Sequence, residues 1–145
     1  MRKLFLSVLM ILGSLASQAQ DEVQTFRNFQ LSFSRVSQAW VRCNDTLQRV
    51  FASKGVAYPP SDIYLRTFKA QNEMELWAKD STSDKFKLIK LYRICALSGI
   101  LGPKRTEGDR QVPEGYYFIE DFNPKSDYFL SLLLNYPNYS DMVVG

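Results

Sequence analysis

The sequence predicts a mainly β domain preceded by one amphipathic helix. Three observations carry that prediction. A 3-4 apolar stripe runs from Phe26 to Val50, a series of short β-rich runs separated by polar turns follows Pro60, and the composition is that of an ordinary globular chain. The chain has 145 residues, 46% hydrophobic, 14% aromatic and 23% charged, which suits one domain with a short appendage. It has no histidine and two cysteines. Ser-His-Asp and Cys-His catalysis, His-ligated zinc and imidazole general bases are therefore excluded from this chain as written.

Residues 1–19, MRKLFLSVLMILGSLASQA, read as an export signal. Arg2 and Lys3 form the basic start, Leu4 to Leu12 the apolar centre, and Ser17 and Ala19 the small residues before cleavage. The apolar run is short for a hydrocarbon core of about 30 Å, so cleavage is expected and no transmembrane segment after it. Setting Arg2 and Lys3 aside leaves 16 of the 18 basic residues against 15 acidic ones, a net charge of +1 rather than the formal +3. That balance gives no electrostatic case for nucleic acid.

Residues 20–58 form the amphipathic helical segment. Phe26, Phe29, Phe33, Val36, Trp40, Cys43, Leu47 and Val50 share one face, and Arg35, Arg42, Asp45 and Arg49 fall off it as a wet face. Asp21 and Gln24 suit the helix start, Lys54-Gly55 its stop, and Pro59-Pro60 prevents a restart. Two readings of the stripe stay open. It packs on the following domain, or it mediates self-association; three Phe and a Trp make a bulkier seam than a two-stranded zipper uses.

Residues 59–145 read as strands: Ile63 to Phe68, Met74 to Lys79, Phe86 to Leu97, Tyr116 to Phe122 and Phe129 to Leu134. In the second, Met74, Leu76 and Ala78 share one face and Trp77 lies on the other. Gln71-Asn72 and the DSTSD run at 80–84 are turns, and the nearly continuous apolarity of the last strand predicts burial on both faces. A mostly antiparallel sandwich or barrel is expected. The long irregular segment from Ser98 to Gly115 is the exception, with Gly99, Gly102, Gly108 and Gly115 at turns. Loops of this length are more often functional than ornamental. Lys104, Arg105 and Arg110 can attract a carboxylate there, although Glu107 and Asp109 are interleaved and allow internal ion pairs instead.

The pieces IYLRTFKAQNEMELWAKD, LYRICALSG, LGPKRTEGDRQVPEGYY and FNPKSDYFLSLLLNYPNYSD, in that order, resemble the L,D-transpeptidase catalytic domain family (YkuD-like) in its longer periplasmic murein subgroup. The resemblance implies a bacterial peptidoglycan enzyme on a β-sandwich, acting in the periplasm or envelope on stem peptides in cell-wall remodelling and cell-shape maintenance. A cysteine thiolate attacks the carbonyl between the third and fourth stem residues. D-alanine leaves, and an amine or water resolves the thioester. It also implies groove roles for Lys104, Arg105, Arg110, Tyr136, Asn138 and Asp141. The scattered acids show no ligand spacing, so no metal or organic cofactor is expected.

The family's His-Gly and Ser-x-Gly-Cys elements are not found in this sequence. The expectation is therefore the N-terminal portion of an incomplete sandwich, inactive as given. Cys43 on the helix and Cys95 in LYRICALSG are expected to be buried small hydrophobes, with no imidazole to activate them. A Cys43–Cys95 disulfide is one pairing an oxidising compartment allows. The competing reading is a non-catalytic peptidoglycan-binding or adaptor module of the envelope.

Overall fold

The computed structural model describes residues 25–144; the expected export signal lies outside the described residues. The chain divides into two compact units. One holds residues up to Arg42 together with Asn123–Ser131, and the other holds Cys43–Phe122 and the residues from Leu132 onward.

The expected single helix is interrupted. A helical stretch over 25–31 ends in a turn at Ser32 and Phe33, and α1 then runs Ser34–Ser53. Serine explains the break. The Ser32 hydroxyl donates to Phe29 O at 2.7 Å, while its N–H reaches both Asn28 O and Phe29 O, so the local side chain competes with continuation of the ladder.

In the first unit two arginines of the wet face, both exposed as expected, also reach across the chain. Arg35 donates to the carbonyls of Ser126 and Phe129, and Arg42 lies 6.0 Å from the centroid of the Phe129 ring. Lys125 stacks over Phe33 and Arg27 over Trp40. Phe129 holds φ at 76°, a left-handed conformation that a bulky residue rarely adopts without such restraint. Along the apolar stripe Phe26 and Phe29 are 47% and 59% exposed, while Phe33, Val36, Trp40, Leu47 and Val50 are half-buried.

The second unit contains the core. Helix α1 ends in a Schellman motif: Gly55 N donates to Ala52 O, Val56 N donates to Phe51 O, and Gly55 takes φ 61°. The apolar contact that accompanies this motif joins Phe51 to Val56, and both are buried. Lys87 Nζ donates to Gly55 O at 2.7 Å, giving a helix-end carbonyl a cationic partner.

Three strands form an antiparallel sheet in sequence order: β1 (Asp62–Phe68), β2 (Glu73–Lys79) and β3 (Lys87–Arg93). Ile63 faces Ala78, Leu65 faces Leu76 and Thr67 faces Met74, so the expected alternation of β2 holds. An irregularity at Leu76/Trp77 lets Ile89 enter the core beside Ala78. Among the described residues the buried apolar ones are Phe51, Val56, Ala78 and Ile89, with Leu47, Val50, Tyr58 and Leu76 packed around them. The opposite sheet face carries Trp77, whose Nε1 donates to Glu75, and Arg66, 2.9 Å from the same carboxylate oxygen and stacked over Phe68. Asp80 fastens the next turn by accepting from Thr82 and from Ala57 N, which holds its carboxyl below the usual range.

β3 stops at Arg93, four residues before the expected end. β4 (Ile119–Asn123) and β5 (Ser131–Leu134) form a separate two-stranded sheet, and α2 (Tyr139–Val144) closes the order. The helix and sheet content and the antiparallel pairing agree with a partial β-rich domain, whose described strands form one three-stranded and one two-stranded sheet. Burial of the last strand on both faces is not observed either. Leu132, Leu133 and Leu134 are 42%, 55% and 39% exposed, because no described layer covers them. Cys43 and Cys95 are free and exposed, contrary to the expectation of burial.

Candidate substrate-binding site

The loop joining β3 to β4 is organised by three polar pins. The first is Asp109. One of its carboxylate oxygens accepts from Lys104 Nζ at 2.6 Å and from Gln111 N, and the other from Arg105 N and Thr106 N. The Lys104 ammonium and these backbone N–H groups hold the Asp109 carboxyl far below its ordinary value. The second is Lys69, at the β1–β2 turn. Its side chain is 9% exposed and its three donors meet Glu114 at 3.0 Å, Gly102 O at 2.6 Å and Val112 O at 3.0 Å. Lys69 in turn lowers the Glu114 carboxyl. The third is Gln111, whose Oε1 accepts from Ile100 N at 2.8 Å. Gly99 makes that approach feasible, since a Cβ there would strike the Gln111 side chain and lie 2.8 Å from Arg110 O.

These pins redistribute the cations expected to face a carboxylate. Lys104 is spent inside the loop, on Asp109 and on Thr106 O. Arg105 gives its N–H to the same aspartate and is exposed. Arg110, with φ 58°, is exposed and its guanidinium makes no bond among the described residues. Lys69 and Glu114 were not singled out in the sequence. A lysine just after a strand, beside a turn, gave no local sign that a loop 33 residues away would close on it.

Tyr136, Asn138 and Asp141 do come together. Asn138 Oδ1 accepts from Ser140 N and Asp141 N, and Asp141 Oδ2 accepts from Asn138 N at 2.8 Å. This reciprocal cap starts α2, and the Asn-x-x-Asp spacing could have announced it. Asp141 Oδ1 also accepts from the Tyr117 hydroxyl at 2.8 Å, and the Tyr117 ring meets Tyr136 edge-on. Burial and the neighbouring carboxylate push the Tyr117 hydroxyl up to about 12. Asn138 Nδ2 donates to Tyr116 O, so three of the expected groove residues tie α2 to the start of the β4 segment.

An open cavity of about 590 Å³ lies beside the first half of the loop, lined by Lys69, Asn72, Arg93 and the segment from Ile94 to Leu101. No helix among the described residues is long and apolar enough to cross a membrane.

The sequence comparisons point to one class of enzyme. The chain is similar to L,D-transpeptidases. The similarity is to the protein named "Putative L,D-transpeptidase YafK" from Escherichia coli strain K12, with 33% identity over 87 residues, and equally to its counterpart in E. coli O157:H7. The matched segment is 59% of this chain and 35% of either relative, so the chain spans about a third of the length of the curated relatives it matches. No protein-family model matches the chain. No solved structure matches it significantly.

Proposed function

We propose that this chain serves L,D-transpeptidase acyl transfer on peptidoglycan stem peptides in the bacterial periplasm or envelope, after export directed by residues 1–19. The observation that carries this reading is the 33% identity over 87 residues to the E. coli proteins named as L,D-transpeptidases. In such a transfer a thiolate bonds to the peptide carbonyl, the terminal D-alanine departs with a proton as the free amine, and an acceptor amine displaces the thiol.

This chain has no histidine, so neither Cys43 nor Cys95 has an imidazole here to take the thiol proton. Its share of the work is to hold the stem peptide, through the loop and cavity described above. Arg110 is the expected groove cation still free to meet a carboxylate. Tyr136, Asn138 and Asp141 act by fixing the wall on which Tyr117 sits.

Titration of the purified chain with a disaccharide-tetrapeptide tests this directly. Saturable binding without D-alanine release, and without a mass adduct on either cysteine, is the expected result. Absence of binding at millimolar ligand would overturn the substrate assignment. Release of D-alanine would overturn the division of labour.

A further inference from the structure

β3 leaves its sheet at Arg93, and the chain that follows is unusually bare. Ile94 N still donates to Asn72 O at 2.7 Å. From Cys95 to Ser98 the backbone then runs on without turn or bend until Gly99, where φ is 75°. No N–H, carbonyl or side chain of these four residues bonds to any described residue. Three of the four are exposed, with Leu97 half-buried, and all four line the 590 Å³ cavity. A straight run of free donors and acceptors beside an open cavity is a template for strand addition.

Charge selects the ligand. The Lys69 ammonium in the cavity wall is already neutralised by Glu114 and has no donor left. Arg93 is exposed and its guanidinium has no partner among the described residues. Glu73, opposite it in register, forms no ion pair with it. The cavity therefore presents one uncommitted positive charge at the head of an unpaired backbone segment.

We infer that Cys95–Ser98 is a peptide-docking edge, on which an extended peptide adds as a strand with a carboxylate on Arg93. The identification of that peptide as a stem peptide rests on the function proposed above. The edge itself rests on the backbone and the charge. An extended peptide satisfies the free groups on one side of the segment, every second N–H and C=O, while Arg93 fixes its direction.

The test is a titration of the isotope-labelled full chain with a stem tetrapeptide and with the same peptide as its C-terminal amide. Amide shifts that include Arg93–Gly99 are expected, with slowed exchange of an N–H within 95–98. Arg93→Gln should weaken the free acid about tenfold and leave the amide form unchanged, because a charge-assisted bond is lost. A structural role for Arg93 would weaken both forms alike and would overturn the assignment. Of Ala96→Pro and Leu97→Pro, the one whose N–H faces the cavity should abolish binding, and a native amide spectrum of either free variant excludes misfolding as the cause. Shifts at 104–111 with the edge unmoved would overturn the edge and leave the stem-peptide reading standing. Equal binding of an unrelated acidic peptide at the edge would support the edge and overturn the stem-peptide specificity. No shift with either peptide would overturn both.

Discussion

The β1–β3 sheet and the β4–β5 sheet are built from equally apolar strands, yet they differ in what covers them. Ala78 and Ile89 of the first are buried with Phe51 and Val56. Leu132, Leu133 and Leu134 of the second are all exposed. An apolar strand does not become core by composition. It becomes core when a second layer lies within contact distance, here the last turns of α1, brought there by the Schellman turn at Gly55.

The most severe way to break that contrast is Phe51→Ala. Removing the ring from a filled core should cost about 3–5 kcal/mol, whereas Leu133→Ala in the exposed strand should stay within about 0.5 kcal/mol. Equilibrium denaturation of the two variants measures the difference; equal losses would mean that the second sheet is covered in solution.

A smaller effect is expected from the cap of α2. Asn138→Ala removes the acceptor of two helical N–H groups and should cost about 1 kcal/mol. Amide exchange should rise across 139–144 and stay unchanged in β1–β3. Faster exchange in the three-stranded sheet would show that the two regions are energetically coupled.

The smallest effect is a titration. Tyr117 ionises near 12 because burial and then Asp141 oppose its charge. Its folded value lies above the unfolded one. Its contribution to stability is therefore complete below about pH 10 and is lost as pH rises towards 12. Tyrosinate absorbance should show Tyr117 ionising late, and Asp141→Asn should bring it partway down. An unchanged titration in that variant would rule out the Asp141 contribution.

Local pattern made the first sheet readable. The strand limits at 63–68 and 74–79 fell within one residue of those observed, because alternation and the Gln71-Asn72 turn are encoded by neighbours. The helix stop at Lys54-Gly55 was readable for the same reason. The misses were non-local. Nothing beside Arg35 or Arg42 signals carbonyls and a ring some 90 residues on. Nothing beside Lys104 indicates which of several acids will hold it. The loop cations were visible as residue types, but which stayed free depended on Asp109 closing on Lys104 and on Lys69 pairing with Glu114. Arg93 lies inside a run whose pattern reads as strand through Leu97, so nothing local marks it as the residue where β3 ends.

The sequence by itself determined the helix stop, the β1–β2–β3 meander with its facing residues, the long loop, and the similarity to L,D-transpeptidases. Each is written in residue spacing over a few positions or in the order of short motifs. The tertiary structure alone decided which apolar strand is covered, which cation is uncommitted and where the backbone is left unpaired. Those outcomes depend on groups far apart in the chain competing for the same hydrogen bonds and contacts, and the competition is settled only when the chain closes on itself.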